Sequence, residues 1–133
     1  MSSSARKTVL CVEDEEPQLE LRQKLFESAG FECHGARSGA EALELFRTRQ
    51  IDAVVLDYWV PDMKGIAIAE SMKRQRPAVP IVMLSGLSSL PGEGLGIVSA
   101  WFRKGNVEPE ELINEVRRLT NTQSANSVNG HSH

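Results

Sequence analysis

Side chains able to bind a cation or to attack an electrophile stand where the predicted strands of this chain end. They follow four of the apolar runs in chain order and are Glu13, Asp14, Asp57, Ser85 and Lys104. The carboxyl ends of parallel strands meet at one edge of a sheet, and ligand sites form just beyond that edge. The spacing therefore predicts that three carboxylates, a hydroxyl and an ammonium converge.

Such a group of side chains suits phosphoryl transfer assisted by a divalent cation. Clustered carboxylates repel each other, a cation relieves that repulsion, and oxygen ligands favour Mg²⁺. The Asp57 carboxylate can attack phosphorus and form an aspartyl-phosphate, while metal and the Lys104 ammonium neutralise charge on the transferring group. Ser85 can donate a hydrogen bond to a phosphoryl oxygen. Taken singly, each residue also fits a plainer role, such as an acidic helix N-terminus or a surface charge.

Strand and helix patterns alternate about five times along the chain. The predicted strands cover residues 8–12, 31–36, 53–56, 81–84 and 100–103. The unbroken apolarity of 53–56 and 81–84 is typical of strands buried on both faces of a parallel sheet. The alternation predicts one open parallel α/β sheet with helices on both faces.

The predicted helices each carry a local signal. The first begins near Pro17 and presents Leu21, Leu25 and Ala29 on one face. A Ser38/Glu41 capping box opens the second, a third runs over 66–75, and the last begins at Pro109. Residues 86–99 hold four glycines and a proline, so we expect an irregular or mobile segment with at most a short helix.

Bulk properties exclude several classes of protein. The 133 residues fit one domain, which we place at 8–119, with disordered ends at 1–7 and 120–133. A net charge of -3 and 5% aromatic residues argue against nucleic-acid binding. No apolar run approaches the ~20 residues of a membrane span, and no signal sequence is seen. We expect a cytoplasmic protein in which Cys11 and Cys33 are buried thiols.

Four segments together resemble the receiver domain of two-component response regulators. They read VLCVEDEEP, VVLDYWVPDMKG, IVMLSG and WFRKG, each after a predicted strand, and the similarity covers roughly residues 8–119. The resemblance implies a flavodoxin-like sheet of five parallel strands in the order 2-1-3-4-5. It also implies a phosphoacceptor module, not itself an enzyme, within a phosphorelay.

The resemblance assigns roles at the phosphorylation site. Asp57 is expected to be the phosphoacceptor, and Glu13, Asp14, Asp57 and the backbone carbonyl of Trp59 to hold Mg²⁺. A histidine kinase or phosphotransfer protein would donate the phosphoryl group, and a downstream protein would read it.

Other expected roles concern switching and show departures from the family. Lys104 is expected to contact the phosphoryl group, and Ser85 and Trp101 to switch on activation. Gly105 stands where the family usually has proline, and Trp101 replaces a usual tyrosine or phenylalanine. These departures and the glycine-rich 86–99 segment leave open an alternative, a pseudo-receiver that binds proteins independently of phosphate. A nucleotide-binding enzyme fits poorly because neither glycine-rich phosphate-binding motif is present.

Overall fold

The computed structural model describes residues 6–86 and 96–129. Within them, five parallel strands form one sheet in the order β2-β1-β3-β4-β5. The strands are β1 Thr8–Val12, β2 Glu32–Ala36, β3 Ala53–Asp57, β4 Ile81–Ser85 and β5 Ala100–Arg103. The helices of the described residues are α1 Glu16–Ser28, α2 Gly39–Thr48, α3 Gly65–Gln75 and α4 Pro109–Asn129. The predicted fold class and strand order are confirmed.

The core has two halves, one on each face of the sheet. Alternate side chains of a strand point to opposite faces, so Val54 packs with Phe46 of α2 and Val55 with Phe26 of α1. All five residues of β1, β3 and β4 are buried. Burying each large apolar side chain is worth about 1.5–3 kcal/mol. Packing from both faces therefore holds the central strands, and with them the residues at their carboxyl ends.

The inward face of α1 differs from the predicted one. Its buried residues are Leu19 and Phe26, whereas Leu21, expected inside, is 69% exposed. Arg22 lies on the same inward row as Leu19 and Phe26, at i+3 from the first. The sequence pattern was misread because a charged residue interrupts the apolar row, and its burial depends on a partner outside the helix.

The start of α2 confirms the predicted capping box and links it to another loop. The Ser38 hydroxyl accepts a hydrogen bond from the Glu41 N–H at 3.1 Å, and the Glu41 carboxylate accepts one from the Arg37 N–H at 2.9 Å. The Asp62 carboxylate accepts bonds from the first two N–H groups of α2 at 2.7 and 3.0 Å. These bonds lower the pKa of Asp62. They also tie the loop after β3 to a helix terminus.

The chain after Leu119 departs from the predicted disordered tail. The last helix continues to Asn129, since extending an existing helix requires no new nucleus. Thr120, where the tail was expected to begin, is 2% exposed, and its hydroxyl donates to the Val116 carbonyl one turn earlier in the same helix at 2.9 Å. Residues 1–5 and 130–133, and residues 87–95 of the segment predicted to be irregular, lie outside the described residues.

Gly65 allows the loop after β3 to pass close to the strand end. A Cβ at this position would lie 2.6 Å from the Asp57 carbonyl oxygen and 2.8 Å from the Tyr58 Cα. The Gly65 N–H donates to the Tyr58 carbonyl at 2.6 Å. Backbone fills the space that a side chain would need, so only glycine fits without displacing the Asp57 segment.

We expect Gly65→Ala to destabilise the domain by about 1–3 kcal/mol, the usual range for overpacking. The matched control is Gly86→Ala, because no heavy atom of the described residues lies within 4 Å of the added methyl group. Urea unfolding of both variants tests the prediction. Equal unfolding midpoints for the two variants would contradict it.

Candidate functional site

The sheet register brings the predicted site residues to one edge. Val12 pairs with Leu56, so Glu13 follows its strand beside Asp57. Asp57 pairs with Leu84, which places Ser85 one residue further along the neighbouring strand. Lys104 directly follows Arg103, which pairs with Ser85.

Lys104 bridges two carboxylates at this edge. Its Nζ lies 2.7 Å from Asp57 Oδ2 and 3.0 Å from Glu13 Oε1. Asp57 is 4% exposed and Glu13 is fully buried, whereas the Lys104 side chain is 30% exposed. One ammonium thus compensates two carboxylates that have lost most of their hydration.

Glu13 has two further partners, one of which the sequence did not reveal. Arg22 Nη1 lies 3.2 Å from Glu13 Oε1, and the Glu15 N–H donates to Oε2 at 3.2 Å. The Arg22 side chain is only 11% exposed. Its signal in the sequence is a charge between the apolar residues Leu19 and Phe26, on a helix that follows an acidic cluster.

Burial and pairing set the protonation of these groups. Burial, the largest influence, raises the pKa of Asp57 above its usual value, while the bond from Lys104 opposes this. Burial acts in the same direction on Glu13, but hydrogen bonds from Lys104 and the Glu15 N–H lower its pKa overall. Burial would lower the pKa of Lys104, yet its bonds to the two carboxylates raise it. The Lys104 ammonium thus opposes the effect of burial on both carboxylates.

The carboxylates also form an arrangement that fits a hard divalent cation. Oxygen atoms of Glu13, Asp14 and Asp57 lie within 4.8 Å of one another. An open cleft of about 430 Å³ reaches them and is lined by Asp14, Glu15, Asp57, Trp59, Val60, Pro61, Gly86 and Lys104. Mg²⁺ takes one or two carboxylates and completes its shell with water or phosphate oxygens. The carboxylate ligands and the open cleft both suit this coordination preference of Mg²⁺.

Trp59 forms one wall of this cleft. It is 52% exposed, its ring packs edge-on against Tyr58, and Lys64 Nζ lies 5.9 Å from the ring centroid. Its backbone N–H donates to the Asp57 carboxylate, which lowers the pKa of that group. The role of its carbonyl as a metal ligand stays a prediction.

Sequence comparison decides the family of the chain. The sequence model of the response regulator receiver domain matches residues 9–93. The chain belongs to this family. Most residues of the site, from Glu13 to Ser85, fall within the matched part of the receiver domain.

Two relatives show how receiver domains occur in longer proteins. The chain is 36% identical over 112 residues to the autoinducer 1 sensor kinase/phosphatase LuxN of Vibrio campbellii, covering 84% of this chain and 13% of LuxN. It is 31% identical over 117 residues to the phosphate regulon transcriptional regulatory protein PhoB of Pseudomonas aeruginosa, covering 85% of this chain and 51% of PhoB. The receiver domain thus spans about half or less of these relatives.

Solved structures agree with the fold. A CheY-like receiver domain from Methanospirillum hungatei JF-1 superposes with a TM-score of 0.86 at 24% identity, over 91% of this chain and 98% of that one. The response regulator TrrA of Thermotoga maritima, in complex with Mg²⁺-BeF, gives 0.79 at 26% identity, over 85% and 98%. Among the described residues of this receiver domain, no helix has the length and apolarity to cross a membrane.

The predicted switch residues of the receiver domain lie on β4 and β5. Ser85 is fully buried, and its carbonyl accepts the Lys104 N–H at 2.6 Å. Trp101 is partly buried and packs with Ile97 and Val98 against the α2/α3 half of the core. Its buried indole N–H has no hydrogen-bond partner among the residues that the structure describes. The switching roles stay predictions.

Gly105 supplies a backbone conformation instead of the proline usual in this family. Its φ is +92°, in the region that favours glycine, and the described residues contain no cis peptide bond. Lys104 lies in the turn that directly follows β5, and its ammonium reaches Asp57. Lys104 makes two ion pairs, with Asp57 and Glu13, and a backbone hydrogen bond to Ser85.

Lys104→Met should destabilise the metal-free domain, since Glu13 and Asp57 would lose their shared cation. Breaking a fully buried pair costs about 3–5 kcal/mol, and solvent access to Lys104 reduces the expected loss to about 1–3 kcal/mol. Urea unfolding in the presence of a chelator measures it. Lys24→Met, which removes an exposed lysine on α1, is the control and should change little. An unaltered midpoint for Lys104→Met would show that the bridge does not stabilise the fold.

Proposed function

We propose that this receiver domain accepts a phosphoryl group on Asp57 and passes a signal to a downstream protein. The observation that carries the proposal is the Asp57 carboxylate at the base of an open cleft, 2.7 Å from the Lys104 ammonium and within ligand distance of two more carboxylates. A nucleophile, a charge-neutralising cation and a metal-binding group are thus adjacent.

The proposed reaction is an in-line displacement at phosphorus. A carboxylate oxygen of Asp57 forms the new O–P bond while the N–P bond of a donor phosphohistidine breaks, and the electron pair of that bond stays on the imidazole, which takes a proton from solvent. Lys104 then neutralises charge on the phosphoryl oxygens, and Ser85 donates a hydrogen bond to one of them. When bound, Mg²⁺ would neutralise further phosphoryl charge, held by Asp14, Asp57 and the Trp59 carbonyl, with Glu13 nearby.

The partners follow from the chemistry of the donor. We infer a histidine kinase or a phosphotransfer protein as donor, acting in the cytoplasm, and a protein as reader of the phosphorylated state. TrrA, whose structure holds Mg²⁺-BeF, supports the use of magnesium by a domain of this fold. The Ser85 and Trp101 positions on β4 and β5 would couple the site to a protein-binding face.

A second candidate is a pseudo-receiver whose binding does not depend on phosphate. The packing of Trp101 against the α2/α3 half of the core favours it, because a bulky packed indole restricts the rotamer change expected on activation. The two functions separate if partner binding is compared for the wild type and for a variant that cannot be phosphorylated. Only the pseudo-receiver would bind equally in both cases.

Asp57 should be the sole phosphorylation site. Incubation with acetyl phosphate and Mg²⁺, followed by intact-mass measurement, should show one phosphoryl adduct on the wild type and none on Asp57→Asn. The control is Asp52→Asn, which changes an aspartate just before the same strand and should leave the adduct intact. An adduct of equal yield on Asp57→Asn would refute the assignment.

Mg²⁺ binding should depend on Asp14. Trp59 lines the same cleft, so its fluorescence should report a magnesium titration without phosphodonor. Asp14→Ala should weaken binding at least about tenfold, since even outer-shell changes at metal sites cost about 10–100-fold. Glu16→Ala removes the same charge from an exposed residue nearby and should have little effect. Unchanged binding in Asp14→Ala would exclude Asp14 as a ligand.

A further inference from the structure

Among the residues that the structure describes, Arg22 is a largely buried charged side chain paired with the site that the proposed phosphoryl transfer does not use. It reaches the site from α1, and its guanidinium pairs with Glu13 at 3.2 Å. Resting on the proposed function, we propose that Arg22 is a positioning residue for it. Arg22 keeps Glu13 as a buried support for Lys104 and out of the metal's inner shell, and it compensates Glu13 when Lys104 turns to a phosphoryl group.

The strand pattern explains why Arg22 meets Glu13. Cys11 of β1 and Val55 of β3 face the α1/α4 half of the core, and Glu13 and Asp57 continue those two rows at i+2. Arg22 occupies the inward row of α1, which covers this face. Its stem lies in a groove between α1 and α4 lined mainly by apolar residues, among them Leu25, Leu84, Val107 and Leu112. Lys104 also lines this groove, whereas Arg22 is not among the residues that line the open cleft.

Both carboxylate oxygens of Glu13 already have partners, which disfavours binding of a cation from the cleft to this residue. Oε1 is shared by Arg22 at 3.2 Å and Lys104 at 3.0 Å, and Oε2 accepts the Glu15 N–H at 3.2 Å. Glu13 is fully buried and does not line the cleft, whereas Asp14 and Asp57 do. A cation entering from the cleft therefore meets Asp14 and Asp57, with Glu13 held behind them.

Charge balance gives Arg22 a second role. The three carboxylates face two cations, Arg22 and Lys104, so one negative charge remains to attract Mg²⁺. Without Arg22 the site carries two, and Glu13 is free to turn towards the metal. The cleft is open to water, so a water-like dielectric applies, and one added charge roughly 6–12 Å from the cation should tighten divalent-cation binding about threefold to tenfold.

Phosphorylation of Asp57 would change how the charge of Glu13 is compensated. In the unphosphorylated domain Lys104 bonds to both Asp57 and Glu13. Contact with a phosphoryl group on Asp57 would require the Lys104 side chain to shift. A buried carboxylate that loses its ion-pair partner strongly destabilises the folded state. Arg22 stays in place on its helix, so Glu13 keeps a cation and Lys104 is released without that cost.

A magnesium titration without phosphodonor, read by Trp59 fluorescence, is the first test. Arg22→Met should bind Mg²⁺ about threefold to tenfold more tightly, whereas Arg22→Lys, which keeps the charge, should stay within about twofold of wild type. Arg47→Met, which removes an exposed arginine paired with Glu44 on α2, should match the wild type. Arg22→Met binding that is weaker or unchanged overturns the proposal, because loss of packing alone cannot tighten the site.

A second test measures stability and needs no metal. It stays valid even if the wild type neither binds Mg²⁺ nor accepts a phosphoryl group, and those two results would contradict the proposed function alone. Thermal unfolding in chelator should show Arg22→Met less stable than wild type. Adding Glu13→Gln to it should raise the unfolding temperature again, since the uncompensated buried charge is removed. A double variant less stable than Arg22→Met would mean that Arg22 does not act through Glu13, and the proposal falls.

Discussion

The site depends on the cost of burying carboxylates at the edge of a packed sheet. Asp57 is 4% exposed and Glu13 is fully buried, and a charge in such a place persists only if it is paired and hydrogen-bonded. The Lys104 ammonium satisfies both carboxylates, at 2.7 and 3.0 Å. The pairing of β5 with β4 and the backbone hydrogen bond from Lys104 to the Ser85 carbonyl hold that ammonium where the two carboxylates meet.

The parallel arrangement of the strands brings these charged residues to the same edge of the sheet. Packing on both faces fixes the central strands, and their register sets which residues emerge side by side. Polar residues placed directly after apolar runs then share one edge, whichever order they have in the sequence. The close approach of Gly65 to the Asp57 backbone, at 2.6 Å for an added Cβ, shows how tightly the following loop is packed against that edge.

The features that could be predicted from the sequence are those that depend on residues close together in the chain. The strand ends at Asp57 and Ser85 follow from unbroken apolar runs, and the start of α2 follows from Ser38 and Glu41. Features set by long-range partners were not predictable in this way. Arg22 looks like an interruption of an apolar row until Glu13 is seen beside it. The position of Lys104 likewise reflects its ion pairs with Asp57 and Glu13, which come from other strand ends.

Arginine and lysine divide the charge compensation of this site according to their chemistry. Arg22 stays charged under all ordinary conditions and presents a rigid, planar guanidinium, which suits a fixed partner for a buried carboxylate. Lys104 is a point charge on a flexible stem that is 30% exposed, which suits a group that must exchange one anion for another. An accepted phosphoryl group adds negative charge beside carboxylates that are already crowded. A site that keeps one cation fixed and one movable can take up that charge without leaving a buried carboxylate uncompensated.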